Sequence, residues 1–239
     1  WNWKANGGTT SSNTDGSITS TVQANTDAGF SIVSYTGNAT AGATVGHGLG
    51  VAPEMVIVKV RSTTNNWCVY HVSTGNGNYT LLNTTAASAA DGGGFWNGTT
   101  PSTSVITLGS AGGVNVSSGT FIAYCFASVE GYSKFGVYTG NGSADGTFVF
   151  TGFRPAFVMI KPNSGGKDWV VLDSSRDLYN PEQQYLLANT SGAEGNIGAL
   201  CDFLSNGFKL RTTSANNLNG TSIIYMAFAE TPFKYANAR

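Results

Sequence analysis

The chain runs twice through the same order of residues. Tyr35-Thr36-Gly37-Asn38 returns as Tyr138-Thr139-Gly140-Asn141, and Val51 to Lys59 returns as Phe153 to Lys161. Pro53 and Pro155, Lys59 and Lys161, and Trp67 and Trp169 are each separated by the same 102 residues. Tyr79 to Thr84 is answered by Tyr185 to Thr190, and Ile122 to Ala127 by Ile224 to Ala229. Blocks matched in the same order mark an internal duplication, which sets the organisation before any single residue is given a role. A period near 100 residues is too long for a solenoid and suits one sandwich-sized domain used twice. The reading is an N-terminal arm, 1–28, followed by two homologous modules, 29–131 and 132–239.

Local pattern indicates the class of each module. Phe30, Ile32 and Ser34 alternate with Ser31, Val33 and Tyr35, the period of a half-buried strand. Met55 to Val60 and Phe157 to Ile160 are apolar on both faces, as in central strands. Turn signals such as Asn76-Gly77, Gly112-Gly113 and Asn206-Gly207 fall between them. The fold expected is all-β: two tandem homologous β-sandwiches, jelly-roll-like, with an extended arm. Gly7 to Asn13 reads as linker, Ser17 to Val22 as an edge strand, and Pro181 to Gln184 as the one helical turn.

Composition narrows the function. Lys+Arg 12 against Asp+Glu 13 gives a net charge of -1, and only 10% of residues are charged. Nucleic-acid binding lacks its electrostatic footprint. No apolar run is long enough for membrane insertion, and Trp1-Asn2-Trp3-Lys4 has neither part of a signal peptide. A start without Met reads as a processed or partial chain. A hydrophobic fraction of 41% with 12% aromatics supports a packed core rather than disorder. Cys68, Cys125 and Cys201 form an odd set without metal spacing and are expected as buried free thiols.

Catalytic chemistry is hard to place. His47, among Gly46, Gly48 and Gly50, and His71 are the two histidines, and neither belongs to a nucleophile motif. Asp168, Asp173 and Asp177 have no acidic counterparts in the first half, and paired carboxylates for sugar cleavage are not marked. Asn13 to Gly16 and Ser143 to Thr147 resemble fragments of calcium loops without the full ligand series; whether they bind calcium stays open. We expect no catalytic residue, metal or cofactor. The N-x-[ST] matches follow from an Asn- and Thr-rich composition and carry no inference.

A binding role has more support. Aromatic plates beside amide and hydroxyl groups suit a neutral sugar. Trp67 and Trp169 recur at one module position and are read as core. Trp96, in the Gly92-Gly93-Gly94-Phe95-Trp96-Asn97-Gly98 run, has no second-half partner and is the surface candidate. Trp96, Asn97, Tyr79 and Tyr185 form the candidate glycan-binding set.

Several longer runs point to one source. Trp3 to Ile18, Gly29 to Val33, Val45 to Pro53, Gly152 to Lys161 and Phe203 to Arg211 together resemble a signature of large structural proteins of marine tailed bacteriophages. The resemblance spans nearly the whole chain. It implies a C-terminal β-rich module of tail-fibre or virion-surface components, without catalytic residues to carry over. The expectation is a non-enzymatic virion structural protein on the particle surface, as fibre, spike or capsid decoration. Its expected partners are identical subunits in a homotrimer, other virion proteins and host-surface polysaccharide. A cell-encoded extracellular adhesin or filament subunit, and a polysaccharide depolymerase, are the alternatives.

Overall fold

A computed structural model of the chain describes residues 2–5 and 7–230. Trp1 and Asn6 of the arm, and the 231–239 end of the second module, lie outside the described residues. The chain divides into two compact units, Trp1–Leu82 with Ser88–Ser128, and Asn83–Ala87 with Val129–Arg239. Both are built from antiparallel strands, and the chain is all-β.

Unit 1 contains β1 (Ser11–Asn13), β2 (Ser20–Asn25), β3 (Phe30–Thr36), β4 (Ala43–Gly46), β5 (Met55–Val60), β6 (Cys68–His71), β7 (Asn78–Leu81), β8 (Ala89–Ala90), β9 (Val105–Leu108), the one-turn helix α1 (Gly112–Asn115) and β10 (Thr120–Phe126). Eight strands form one sheet in the order β1-β2-β3-β10-β5-β6-β7-β8, while β4 and β9 pair as a separate ribbon. The arm supplies two strands: β1 falls in the stretch read as linker, and β2 overlaps the expected edge strand but pairs on both sides, so β1 is the sheet edge, with Ser11 opposite Val22. β-branched and aromatic residues suit these pleated, half-buried positions. Ser31, Val33 and Tyr35 point inward from β3, and Val45, Ile106 and Leu108 of the ribbon meet Val58, Phe121 and Ala123 of the sheet in one core.

Unit 2 contains β11 (Ser133–Thr139), β12 (Phe148–Phe150), β13 (Pro155–Pro162), β14 (Val170–Asp173), β15 (Glu182–Leu187), β16 (Gly195–Leu204), β17 (Gly207–Leu210), a 3-10 turn at Ala215–Asn217 and β18 (Ser222–Ala229). Its sheet order is β11-β18-β13-β14-β15-β16-β17-β12. The strands β11-β18-β13-β14-β15 follow the same pairing sequence as β3-β10-β5-β6-β7. The sheet is continuous, unlike the two separate layers of a jelly roll, because the ten-residue β16 joins β15 to β17. It folds over itself, so that Tyr138 from one edge and Val149 from the other share a core with Leu172 and Phe208.

Two local readings change. Pro181 to Gln184 is not helical: Glu182–Leu187 is β15, whose entry is fixed by the Asp177 Oδ2, accepting from the N–H groups of Gln183 and Gln184 at 2.7 Å each. Gly112-Gly113, read as a turn, opens α1. All three cysteines are free and buried, and burial pushes the Cys68 and Cys125 thiols up to about 12.

The repeated Tyr-Thr-Gly-Asn block has a specific task in each unit. Tyr35 Oη donates to Val114 O at 2.7 Å, and Tyr138 Oη donates to Asn216 O at 2.7 Å. Asn115 Oδ1 accepts from Asn38 N, while its Nδ2 donates to Thr40 O and Gly109 O. Asn217 Oδ1 accepts from Asn141 N, and its Nδ2 donates to Asn141 Oδ1, Ser143 O and Thr212 O. A Cβ on Gly37 would stand 2.4 Å from Val116 O, and one on Gly140 2.3 Å from Leu218 O, so only glycine admits these close approaches. In both units the block ties the end of its strand, β3 or β11, to the short helical turn that precedes the last strand.

Candidate functional site

The Gly-rich loop of unit 1 folds inward. Asp91, itself buried, accepts from Phe95 N at 2.6 Å and Trp96 N at 2.9 Å. Gly109 N donates to Phe95 O and Ala111 N to Gly94 O, and a Cβ on Gly109 would meet Gly94 O at 2.0 Å. The loop is strapped against the end of β9, carrying its aromatic residues beneath the surface.

Trp96 is therefore not a surface platform. Its side chain is 2% exposed, edge-on to Tyr70 with centroids 5.8 Å apart. A sugar has no access to that ring. Asn97, with φ of 52°, serves the loop turn. Tyr79 is half-buried and covered by Phe95, their rings stacked at 4.1 Å and 23°. Of the four candidate residues, Tyr79 and Trp96 are closed off within unit 1, and Tyr185 belongs to unit 2.

Tyr185 borders a cavity of unit 2. A partly open space of about 140 Å³ is lined by Lys167, Asp168, Val170, Tyr185, Leu187, Leu200, Ser214, Ala215 and Asn216. Val170, Leu187, Leu200 and the Tyr185 ring make an apolar wall. Asp168 is pinned by Asn189, whose Nδ2 donates to Oδ1 at 2.8 Å. The Ser214 hydroxyl is buried and has no hydrogen-bond partner, a costly state for a polar atom unless a ligand or water completes it. Apolar walls with a few fixed polar groups are the usual make-up of a small-molecule site. Sequence reasoning found Tyr185, singled out Asp168 only as an acid without a first-half counterpart, and missed Ser214 and Leu200, which share no motif with them.

Beside the cavity lies a buried cation. Lys161 is fully buried, its Nζ donating to Thr85 O at 3.1 Å and to Lys167 O, with the Trp169 ring 5.9 Å away. Burial lowers its ammonium to about 8. Trp169 is buried, as its recurrence suggested; its counterpart Trp67 is only half-buried, with Lys59 Nζ 5.9 Å from its ring.

The histidines hold structure. His47 is fully buried, its Nδ1 accepting from Leu49 N and its Nε2 3.2 Å from Ser102 O, and burial lowers its pKa. With both ring nitrogens engaged, no substrate proton is within its reach. His71 is also buried, and its Nδ1 accepts from Ser73 N. Glu182 is 1% exposed with Oε2 unpartnered; burial first, then Asp177 and Asp173, raises its carboxyl to about 7. It does not line the cavity. Of the calcium-like loops, Asn13 and Asp15 bond to each other, and Asp145 pairs with Lys209 and Arg211. Among the described residues no group of three His, Cys, Asp or Glu side chains is placed to hold a metal, and no helix is long and apolar enough to cross a membrane.

Fold and site together define an all-β protein of two units, with an aromatic-walled cavity in the second. The family model described as a domain of unknown function, DUF7483, matches residues 1–232, and the chain belongs to that family. No curated protein and no solved structure matches it.

Proposed function

We propose that the chain is a non-enzymatic structural protein displayed on a bacteriophage particle, as tail fibre, spike or capsid decoration, and that its second unit touches host-surface glycan at the Tyr185 cavity. The observation that carries the adhesive part is the cavity itself: a half-exposed aromatic wall, a pinned carboxylate and a buried hydroxyl without a partner. The bacteriophage context rests on the resemblance of the sequence runs given above. A low charge density and strands joined by short turns suit a rigid surface protein that folds without a cofactor.

Its proposed partners are identical subunits, as a trimer, and other virion proteins. The edge strand β12 pairs only with β17, and exposes Phe148 at 44% and Phe150 at 58%. Lys134 caps Phe150 O at 2.9 Å and lies over its ring, but exposed aromatics on an edge strand still favour association between chains. A depolymerase is less favoured, because Glu182, the carboxyl whose pKa best suits a general acid, lies off the cavity.

Quantitative mass spectrometry of purified particles tests the location. A copy number near that of the major shell protein supports decoration, and a few per hundred supports a fibre or spike. Absence from particles sinks the virion reading and moves an extracellular adhesin to first place. For adhesion, Tyr185→Ala is expected to lose binding to host cells with unchanged folding, while full retention would refute the site.

A further inference from the structure

The two units differ at one matching place. In unit 1, β6 pairs with β7 so that Cys68 faces Leu81; in unit 2, β14 pairs with β15 so that Val170 faces Leu187. Tyr79 and Tyr185 thus hold the same position, two residues before those leucines. The tyrosine bonds to Val114 and Asn216 align the helical turns in the same way, setting Gly113 against Ala215 and Gly112 against Ser214. The walls correspond, but the contents do not. In unit 1, Phe95 lies on Tyr79, with Cε1 3.4 Å from where a Gly113 Cβ would stand. In unit 2, β16 runs where unit 1 has its Gly-rich loop, Leu200 of that strand forms part of the lining, and the space beside Tyr185 is the cavity.

We infer that each chain carries one single-ring sugar subsite, against Tyr185, and that Phe95 permanently closes the corresponding place in unit 1. This rests on the glycan-contact reading of unit 2 and adds the size of the ligand, the residue that selects it and the number of sites. Phe95 shows what the space accepts, a six-membered ring laid face-on against tyrosine. The volume suits the ring itself: about 140 Å³ is available and a cavity of about 150 Å³ holds one benzene ring, so the outer hydroxyls of a pyranose project through the open side. The polar groups separate a pyranose from a plain aromatic ring. Ser214 offers an unpartnered hydroxyl and Asp168 a fixed carboxylate, both suited to sugar hydroxyls, whereas unit 1 has Gly112 where Ser214 stands.

The test titrates the full chain with phenol and with methyl glucopyranoside, galactopyranoside, mannopyranoside and N-acetylglucosamine, followed by NMR. At least one sugar is expected to saturate at one per chain. Ser214→Leu, which fills the cavity, and Tyr185→Ala are each expected to weaken it by about tenfold or more, with unchanged circular dichroism. In Phe95→Ala, phenol is expected to reach two per chain while the sugar stays at one. Sugar binding indifferent to both Ser214→Leu and Tyr185→Ala would overturn the subsite, as would binding of phenol without any sugar. If no sugar binds the wild type yet Ser214→Leu and Tyr185→Ala lose cells, the subsite falls and adhesion stands; if Ser214→Leu loses the sugar but still holds cells, adhesion at the cavity falls and the subsite stands.

Discussion

Tyr35, Asn115, Tyr138 and Asn217 show what single residues contribute here, since each closes a buried polar link that the strands alone would leave open. Tyr35→Phe and Tyr138→Phe each remove a hydroxyl that satisfies a loop carbonyl. Each is expected to cost about 1–2 kcal/mol in urea unfolding, and a cost below the error of the measurement would show that water replaces the bond. Glu182 gives a pH dependence. Its carboxyl is raised from 4.5 to about 7 by burial, then by Asp177 and Asp173, with Asp202 also raising it and Arg154 opposing. Between those values the native state keeps a proton that the unfolded chain releases, so its stabilising contribution is complete below 4.5 and is lost as pH rises through 7. Relative to wild type, Glu182→Gln is therefore expected to gain about 3 kcal/mol between pH 4.5 and 8. A difference that does not change with pH would refute the assignment. The repeated Tyr, Gly and Asn letters were legible in sequence, but their partners were not, because those partners lie some 75 to 80 residues away.

At the scale of elements, the loop from Asp91 to Gly98 and strand β16 decide where a ligand has room. The loop carries Phe95 and Trp96 inward on two N–H bonds to Asp91. Trp96→Ala is accordingly a core deletion, expected to cost about 3–5 kcal/mol in denaturant unfolding without changing glycan contact at Tyr185. A drop in adhesion at unchanged stability would restore Trp96 as a surface residue. On the edge strand β12, a charge at Phe150 blocks strand addition. Phe150→Glu is expected to lower self-association in sedimentation experiments, and an unchanged oligomer would move the interface elsewhere. Alternation identified β3, and runs apolar on both faces identified β5 and β13, because residue pattern is a local property. It misread Pro181 to Gln184, where the Asp177 bonds and the flanking strands outweigh local preference.

For the whole molecule, the units do not divide at one point in the chain. Asn83–Ala87 belongs with unit 2 although it lies between strands of unit 1, and it supplies Thr85 O to Lys161. A fragment 129–239 lacks that carbonyl and leaves a buried ammonium with one fewer acceptor. In the fragment, Lys161→Met is expected to raise Tm by calorimetry, whereas in the full chain it gains less. Equal gains in both would show that Thr85 contributes nothing to the lysine.

The sequence by itself determined the strand class and the free thiols, because residue period, turn chemistry and cysteine spacing act over short stretches of chain. Tertiary structure decided that the arm extends a sheet, that Trp96 is core and that Tyr185 faces open space while Tyr79 does not. These depend on which distant segment arrives beside a given side chain. The two tyrosines occupy the same position in the two units; Phe95 stacks on Tyr79, whereas the Tyr185 ring lies over Gly195 of β16 and borders the cavity.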